Sequence, residues 1–313
     1  MERFTSKVLM FGEYSLLYNS MALTMPFDKF SGQLKYADEA SDNLFAIKSN
    51  KGLRDLCNHM LEQHTEDTFK LNVQKFKAEL DRGLFFESNI PQGFGLGSSG
   101  ALVAAIFLRY LEKAGDFKDG LKSMTKDRMR TVKCYLGGLE GFFHGTSSGI
   151  DPLSILINEP LLLKSKNDIS CVEVPEFKSD GKNVIFLLNT GLARNTDKLV
   201  EKFKSSCEDK KFLNKMECEL IEATNGSIES FLEKDNVSLY KHLEKLVKFQ
   251  FEQMNYLIPD AFNQHVADGM KNGDYFLKIC GSGGGGYMLG FTENWEETQR
   301  ILQNEEIEIL YRF

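Results

Sequence analysis

Hydrophobic positions in the first half of the chain alternate between short β-type runs and helical stripes. Apolar runs at residues 8–11, 21–24, 33–36 and 83–88 are bounded by turn residues and predict strands. The pattern at residues 53–63 predicts a helix, and dense helix formers at 101–112 and 128–143 predict two more, the first of them buried. This half is therefore expected to mix helix and sheet.

The second half begins after a polar stretch at residues 164–182 that contains Pro175 and Gly181. We place a domain boundary there, with one domain at 1–178 and another at 179–313. A strand is predicted at 184–188, and residues 196–266 have apolar positions at helical spacing. Strands at 275–280 and 287–291 are joined by the glycine-rich residues 281–286, which predicts a glycine-rich hairpin at 280–287. The predicted fold class is α+β with two domains.

Composition and charge exclude several classes of protein. The 313 residues are 42% hydrophobic, which suffices for a substantial core, and the net charge of −7 comes without any basic block that would bind nucleic acid. Six scattered cysteines suggest neither a zinc site nor a disulfide framework, which favours a reducing, cytoplasmic location. The strongest apolar run, residues 102–108, is far shorter than the roughly 20 residues of a membrane span. No membrane partner is expected.

A glycine-rich stretch, Pro91-Gln92-Gly93-Phe94-Gly95-Leu96-Gly97-Ser98-Ser99-Gly100-Ala101, lies between a predicted strand and a predicted helix. Glycines permit positive φ, and successive backbone N–H groups at a helix start can hold a polyphosphate. A tight structural turn explains the same stretch equally well. It is not a Walker A loop, because no Lys-Ser or Lys-Thr follows. A Rossmann dinucleotide-binding site also fits poorly. Such a site needs an acidic residue at a strand tip, whereas the acidic residue near the expected offset here, Asp116, lies at a predicted helix end.

Two carboxylates form a second candidate feature. Glu140 lies near the end of a predicted helix, and Asp151 follows in a turn rich in glycine and serine. One carboxylate can hold Mg²⁺ while the other takes a hydroxyl proton. Alternatively, Glu140 is a solvated helix residue and Asp151 forms a turn before Pro152.

Taken together, these segments resemble the GHMP kinases. Residues 91–101 match the ATP-binding signature of that family, and residues 278–286 resemble its carboxy-terminal glycine motif. Residues 6–14, 140–151 and 188–196 are similar to segments of mevalonate kinases, and most so to the bacterial ones. The resemblance runs from about residue 5 to residue 291. Phe4-Thr5-Ser6 replaces the family's usual Ala-Pro-Gly, and Tyr14 and Asn19 replace a His and a Gly common in animal mevalonate kinases.

The resemblance implies a two-domain fold with the active site in the cleft between the domains, and it implies ATP and Mg²⁺ as cofactors. Asp151 and Lys7 would be catalytic, and Ser99 and Glu140 would ligate the metal. The implied phosphate-binding residues are Pro91, Gly93, Gly95, Leu96, Gly97, Ser98, Ser99, Gly100 and Ala101. The implied acceptor-binding residues are Glu13, Tyr14, His144, Ser148, Arg194, Thr196, Gly283 and Gly284.

The function expected from this resemblance is transfer of the ATP γ-phosphoryl group to the primary hydroxyl of mevalonate, by a monomer or homodimer that acts on a small molecule. Another GHMP kinase, such as a phosphomevalonate or homoserine kinase, is the alternative within the class. A nucleotide-binding protein without catalysis, or a dinucleotide oxidoreductase, is the alternative outside it.

Overall fold

The computed structural model describes residues 1–37, 44–62, 68–121, 123–165, 167–193 and 196–313, without the side chains of residues 196 and 197. Within these ranges it has the mixed helix and sheet composition expected from the sequence. Contacts divide the chain into two compact units. The first unit comprises Met1–Lys7, Pro26–Pro91 and Leu96–Glu159, and the second comprises Val8–Met25, Gln92–Gly95 and Pro160–Phe313.

The first unit is built around a buried helix. Its described helices are α1 (Leu44–Glu62), α2 (Val73–Asp81), α3 (Ser98–Tyr110), α4 (Ala114–Asp119), α5 (Lys126–His144) and α6 (Ile150–Ile157). Helix α3 is apolar on nearly all sides, which is why it is buried, and it packs against α5 and α6. Helix α5 begins after Thr125, whose hydroxyl accepts the N–H of Arg128 and so caps the helix.

Strands β1 (Arg3–Phe11) and β2 (Ala22–Tyr36) supply residues to both units, and β3 (Leu84–Ser88) belongs to the first. Strand β3 pairs antiparallel with the end of β2, from Gly32 opposite Ser88 to Tyr36 opposite Leu84. A Cβ at Gly32 would lie 2.1 Å from the Phe86 ring, so this glycine makes room for the ring. Two short strands were predicted here. The structure has one strand of 15 residues, and the exposed residues in its middle interrupt the apolar pattern.

The second unit contains a four-stranded antiparallel sheet. Its strands lie in the order β7 (Phe276–Ile279), β8 (Tyr287–Thr292), β6 (Val184–Asn189) and β9 (Ile307–Arg312). The β7–β8 pair, in register from Phe276–Phe291 to Ile279–Met288, confirms the predicted hairpin. Strands β4 (Leu161–Ser165) and β5 (Asp168–Cys171) extend the sheet of β1 and β2, with β4 pairing antiparallel to residues 22–24 of β2.

Helices account for most of the remaining second unit. They are α7 (Thr196–Ser206), α8 (Lys210–Lys215), a π-helical segment (Met216–Ile221), α9 (Glu222–Glu233), α10 (Asn236–Gln253), α11 (Asn263–Asn272) and α12 (Trp295–Ile301), with 3-10 turns at Ser15–Tyr18, Asn255–Leu257 and Asp260–Phe262. The predicted helical character of residues 196–266 is therefore confirmed. Across the described ranges, none of the helices combines the length and apolar character of a membrane span.

The predicted boundary between residues 178 and 179 stays a prediction.

Helix α6 differs locally from what the sequence predicted. The sequence suggested that Asp151 lies in a turn, whereas the structure places it in the first turn of α6. A proline near a helix start is compatible with helix, so Pro152 does not end α6.

Candidate active site

The glycine-rich stretch connects β3 to α3. Gly93, Gly95 and Gly97 all have φ near +80°, the left-handed conformation that favours glycine, and Gly97 immediately precedes the first residue of α3. A glycine has no side chain to cap the first N–H groups of a helix. Backbone N–H groups at the start of α3 are therefore left for another acceptor, as a phosphate site requires.

The end of this stretch is fixed to the first unit. The carbonyl of Leu96, a fully buried residue, accepts the backbone N–H of Lys7 at 3.1 Å. A Cβ at Gly97 would lie 2.8 Å from the Ile155 side chain and 3.3 Å from that of Lys7. The glycine thus permits a close approach of α3 to β1 and α6. The predicted phosphate-binding residues vary in exposure: Gly93 is exposed, Pro91, Gly95, Ser98 and Ser99 are half-buried, and Leu96, Gly97, Gly100 and Ala101 are buried.

Lys7 and Asp151, both predicted to be catalytic, form an ion pair in the first unit. The Lys7 Nζ lies 2.7 Å from Asp151 Oδ1. The Lys7 side chain is 5% exposed, whereas that of Asp151 is 36% exposed. A carboxylate in this position could accept a proton from a bound hydroxyl. The partial exposure of Asp151 leaves the carboxylate open to a ligand.

Glu140 and Ser99, both predicted to be metal ligands, are also brought together. The Ser99 hydroxyl donates to Glu140 Oε1 at 2.7 Å, and Glu140 is only 4% exposed. Burial, with the negative charge of Asp151 as a second cause, raises the pKa of Glu140, while the hydrogen bonds from Ser147 and Ser99 oppose that rise. The carboxylates of Glu140 and Asp151 are therefore close enough to affect each other electrostatically.

Small residues allow the elements that carry these side chains to approach closely. A Cβ at Gly100 of α3 would lie 2.9 Å from Pro152 N and 3.0 Å from Asp151 C. A Cβ at Gly149 would lie 2.0 Å from the carbonyl oxygen of Lys133 on α5. Because Ser99 precedes Gly100, the tight packing of α3 on α6 brings the Ser99–Glu140 pair and the Lys7–Asp151 pair into one neighbourhood.

Ser147 is a polar residue of this site that the sequence did not identify. Its hydroxyl donates to Glu140 Oε2 at 2.5 Å and accepts the N–H of Gly149 at 3.0 Å. A serine in a turn rich in Ser, Thr and Gly looks like an ordinary turn former, so only its spacing from Glu140 in the same motif hinted at a contact.

Glu13 and Tyr14, predicted to bind the acceptor, lie in the second unit and are both buried. Glu13 Oε1 accepts a hydrogen bond from Lys278 Nζ at 2.6 Å, with side-chain exposures of 2% and 0%. The Glu13 carboxylate also accepts the backbone N–H of Gly281. The Tyr14 hydroxyl donates to the carbonyl of Ser282 at 2.5 Å. Both residues therefore bind the start of the glycine turn that joins β7 to β8.

The glycines of that turn are tightly packed. A Cβ at Gly283 would lie 2.7 Å from the Leu257 carbonyl oxygen, and one at Gly284 would lie 2.5 Å from the Leu199 side chain. The Gly284 N–H donates to the same Leu257 carbonyl at 2.6 Å. Gly283 and Gly284 thus have a packing role, and their predicted contact with the acceptor stays a prediction.

Of the remaining predicted acceptor-binding residues, two are exposed, and two lie wholly or partly outside the described residues. His144 ends α5 and is exposed, and the exposed Ser148 accepts the N–H of Ile150 at 3.4 Å. Arg194 lies outside the described residues, and Thr196 begins α7 with its side chain outside the described part.

Comparisons with known proteins identify the fold. Residues 56–156, which include the glycine-rich stretch, Glu140 and Asp151, match the family described as GHMP kinases N terminal domain. No curated protein matches the sequence significantly. Residues 56–156 carry the sequence signature of the GHMP kinase N-terminal domain, and the chain shares its fold with solved GHMP kinase structures.

Solved structures of GHMP kinases cover almost the whole chain at low identity. Methanococcus jannaschii mevalonate kinase is 17% identical with a TM-score of 0.61, covering 100% of this chain and 98% of that one. L. major mevalonate kinase in complex with R-mevalonate is 15% identical with a TM-score of 0.63, covering 98% and 94%. Streptococcus pneumoniae phosphomevalonate kinase in complex with phosphomevalonate and AMPPNP is 15% identical with a TM-score of 0.61, covering 100% and 98%.

Proposed function

We propose that this protein is an ATP-dependent kinase that transfers the γ-phosphoryl group to the primary hydroxyl of mevalonate. The observation that carries the proposal is the adjacency, within the first unit, of the Lys7–Asp151 ion pair and the buried Ser99–Glu140 pair. The carboxylate of the Lys7–Asp151 pair could accept a proton, and the Ser99–Glu140 pair offers oxygen ligands for a metal ion. Phosphoryl transfer uses both, because it depends on positioning and on neutralising charge.

Asp151 takes the proton of the acceptor hydroxyl in this proposal. The hydroxyl oxygen forms a bond to the γ-phosphorus while the bond from that phosphorus to the β,γ-bridging oxygen breaks, and ADP leaves. Lys7 holds the Asp151 carboxylate in place through their ion pair, and its charge also attracts the negatively charged reactants. The exposed part of the Asp151 side chain is where the acceptor hydroxyl would approach.

The donor set of Glu140 and Ser99 fits Mg²⁺. Both side chains offer oxygen, and nucleotide sites typically hold Mg²⁺ through one or two protein carboxylates, with phosphates and water completing the shell. Glu140 and Ser99 would hold the ion. When bound, Mg²⁺ supplies charge neutralisation on the phosphate oxygens.

The nucleotide phosphates are assigned to the stretch at residues 91–101. Its left-handed glycines and the uncapped start of α3 provide backbone donors without a side-chain cation. The AMPPNP complex of the Streptococcus pneumoniae enzyme, which has a similar fold, supports a nucleotide ligand.

Mevalonate is favoured as acceptor by the resemblance of residues 6–14, 140–151 and 188–196 to mevalonate kinases, and by the fold shared with two such enzymes. Lys7 and, from the sequence alone, Arg194 are the candidate cations to offset the acceptor carboxylate in a chain of net charge −7. Phosphomevalonate is the second candidate, because a phosphomevalonate kinase has a similar fold over the whole chain. A cytoplasmic location and a monomeric or homodimeric state remain predictions.

The test is ADP release from purified protein with Mg-ATP and separate acceptors: mevalonate, phosphomevalonate, homoserine and galactose. Mevalonate should give turnover that depends on Mg²⁺, and Asp151→Asn should abolish most of it. A reaction without acceptor measures background ATP hydrolysis. Turnover with phosphomevalonate alone would reassign the acceptor, while nucleotide binding without turnover on any acceptor would contradict kinase activity.

A further inference from the structure

The turn between α5 and α6, at residues 145–149, places one serine hydroxyl between two polar groups. Ser147 Oγ donates its proton to Glu140 Oε2 at 2.5 Å and accepts the backbone N–H of Gly149 at 3.0 Å. The hydroxyl therefore connects the backbone of the turn to the carboxylate on α5. A hydrogen bond from a hydroxyl to an ionised carboxylate is charge-assisted.

Each oxygen of Glu140 has its own serine donor. Oε1 accepts from Ser99 at 2.7 Å and Oε2 accepts from Ser147 at 2.5 Å. An ionised carboxylate only accepts hydrogen bonds, and a buried one needs donors to offset the loss of water. The two bonds together fix the rotation of the carboxylate group, so that Oε1 stays on the side of Ser99.

The turn itself is held firmly against α5. Gly149 has a φ of 72°, and a Cβ there would meet the Lys133 carbonyl oxygen at 2.0 Å and Gly137 N at 2.9 Å. Only a glycine fits such an approach. Ser147, two residues earlier, thus donates to Glu140 from a backbone that is packed in place rather than from a loose loop.

We propose that Ser147 is a positioning residue of the metal site, holding the Glu140 carboxylate with Oε1 beside Ser99. This inference rests on the proposed function, because it requires Glu140 and Ser99 to ligate Mg²⁺. A group that hydrogen-bonds a metal ligand orients it, and losing such a group typically costs about 10- to 100-fold in metal affinity or activity.

A purely structural role for Ser147 makes a different prediction. The bond from Gly149 N–H alone is a common serine-turn contact, and its loss would lower stability without changing the response to the metal. The response to Mg²⁺ therefore separates the two roles.

The test compares Ser147→Ala with Ser147→Thr, which keeps the hydroxyl, and with Thr146→Ala, which removes a hydroxyl from the exposed neighbouring residue. AMPPNP binding is measured by calorimetry over a range of Mg²⁺ concentrations and in EDTA. Ser147→Ala should need about 10-fold or more Mg²⁺ for half-maximal enhancement of AMPPNP binding. Ser147→Thr and Thr146→Ala should resemble the parent protein, and binding in EDTA should be equal in all four.

Thermal unfolding in EDTA shows whether each variant is folded. A folded Ser147→Ala protein with the parent's Mg²⁺ dependence would overturn the inference. If Ser147→Ala does not fold, Ser147→Cys, of similar size but a weak donor, takes its place, and an unshifted Mg²⁺ dependence there overturns the inference equally. A parent protein whose AMPPNP binding ignores Mg²⁺ would instead contradict the proposed metal site, so the two failures are distinguishable.

Discussion

Replacing Lys278 by methionine should destabilise the second unit strongly. The Lys278 side chain is fully buried, and its Nζ donates to Glu13 Oε1 at 2.6 Å and to the Ile279 carbonyl at 2.8 Å. Lys278→Met keeps most of the apolar volume but leaves the Glu13 carboxylate buried without its cation. Breaking a buried ion pair in this way typically costs about 3–5 kcal/mol.

Urea unfolding followed by the fluorescence of Trp295, the single tryptophan of the sequence, measures this cost in the unit that holds the pair. With a slope of about 3 kcal/mol per molar urea, the midpoint should fall by roughly 1–1.7 M. Lys245→Met is the matched control, because Lys245 forms an exposed pair with Glu222 at 3.5 Å in the same unit. Exposed pairs contribute little, so that midpoint should hardly move.

The loss of unfolding free energy caused by Lys278→Met should also depend on pH. Burial raises the pKa of Glu13 even though Lys278 opposes the rise, so removing Lys278 raises that pKa further. A carboxyl whose pKa is higher in the folded state binds more protons there, and stability then falls as pH rises from the unfolded pKa, about 4.3, towards the folded one. The difference between variant and parent should therefore be smallest near that unfolded pKa and grow as pH increases.

The double variant Glu13→Gln/Lys278→Met removes both charges and should recover much of the lost stability, since a buried ion pair can often be replaced by neutral groups of similar volume. Equal midpoints for Lys278→Met and Lys245→Met would refute the reasoning, because the buried pair would then contribute no more than an exposed one. A double variant less stable than Lys278→Met would refute it as well.

Three further predictions concern the first unit. Asp151→Asn should lower turnover by roughly 10²- to 10⁴-fold with AMPPNP affinity nearly unchanged, because the amide cannot take the proton; near-normal turnover would remove Asp151 from the mechanism. Glu140→Gln and Ser99→Ala should each raise the Mg²⁺ concentration needed for half-maximal turnover, Glu140→Gln more so because it also removes a charge, and a Mg²⁺ response like the parent's in both would contradict the metal assignment. Gly100→Ala should lower the free energy of unfolding by about 1–3 kcal/mol and reduce turnover, because its Cβ would meet the backbone of residues 151 and 152. Gly138→Ala, whose Cβ would meet nothing within 4 Å, is the control and should leave turnover at the parent level.

Apolar patterning predicted the elements whose pattern is local. Strand β6, the β7–β8 hairpin and helices α3 and α5 were all expected from contiguous stretches of sequence, and each appears within a few positions of its expected bounds. Strand β2 was divided in two because exposed residues interrupt its middle, although the structure has one strand from Ala22 to Tyr36, paired with β4 near its start and with β3 at its end. The first residues of helix α6 were predicted to lie in a turn because the segment at 144–152 is rich in turn residues, whereas packing against α3 favours the helix.

The site residues also divide into those that a local pattern predicted and those that long-range contacts decide. Ser99, Glu140 and Asp151 belong to contiguous motifs, and the structure brings them together as the resemblance to GHMP kinases implied. The partner of Glu13 is 265 residues away in sequence, so no local pattern could have paired it with Lys278. A buried lysine is costly without a partner, and Lys278 within an apolar strand was the one signal that a buried acid lay opposite it.

Glu13 and Tyr14 make buried structural contacts that two other predicted acceptor-binding residues, His144 and Ser148, do not make. Both were expected to bind the acceptor, yet Glu13 is committed to Lys278 and the Gly281 N–H, and the Tyr14 hydroxyl to the Ser282 carbonyl. Tyr14 also has a φ of 62°, an uncommon conformation for a residue with a side chain, which such contacts help to maintain. A ligand would have to displace these hydrogen bonds to bind the Glu13 carboxylate or the Tyr14 hydroxyl. His144 and Ser148, both exposed and in the same unit as Lys7 and Asp151, carry no such cost, so substitutions there should alter acceptor preference with less loss of stability than substitutions at residues 13 and 14.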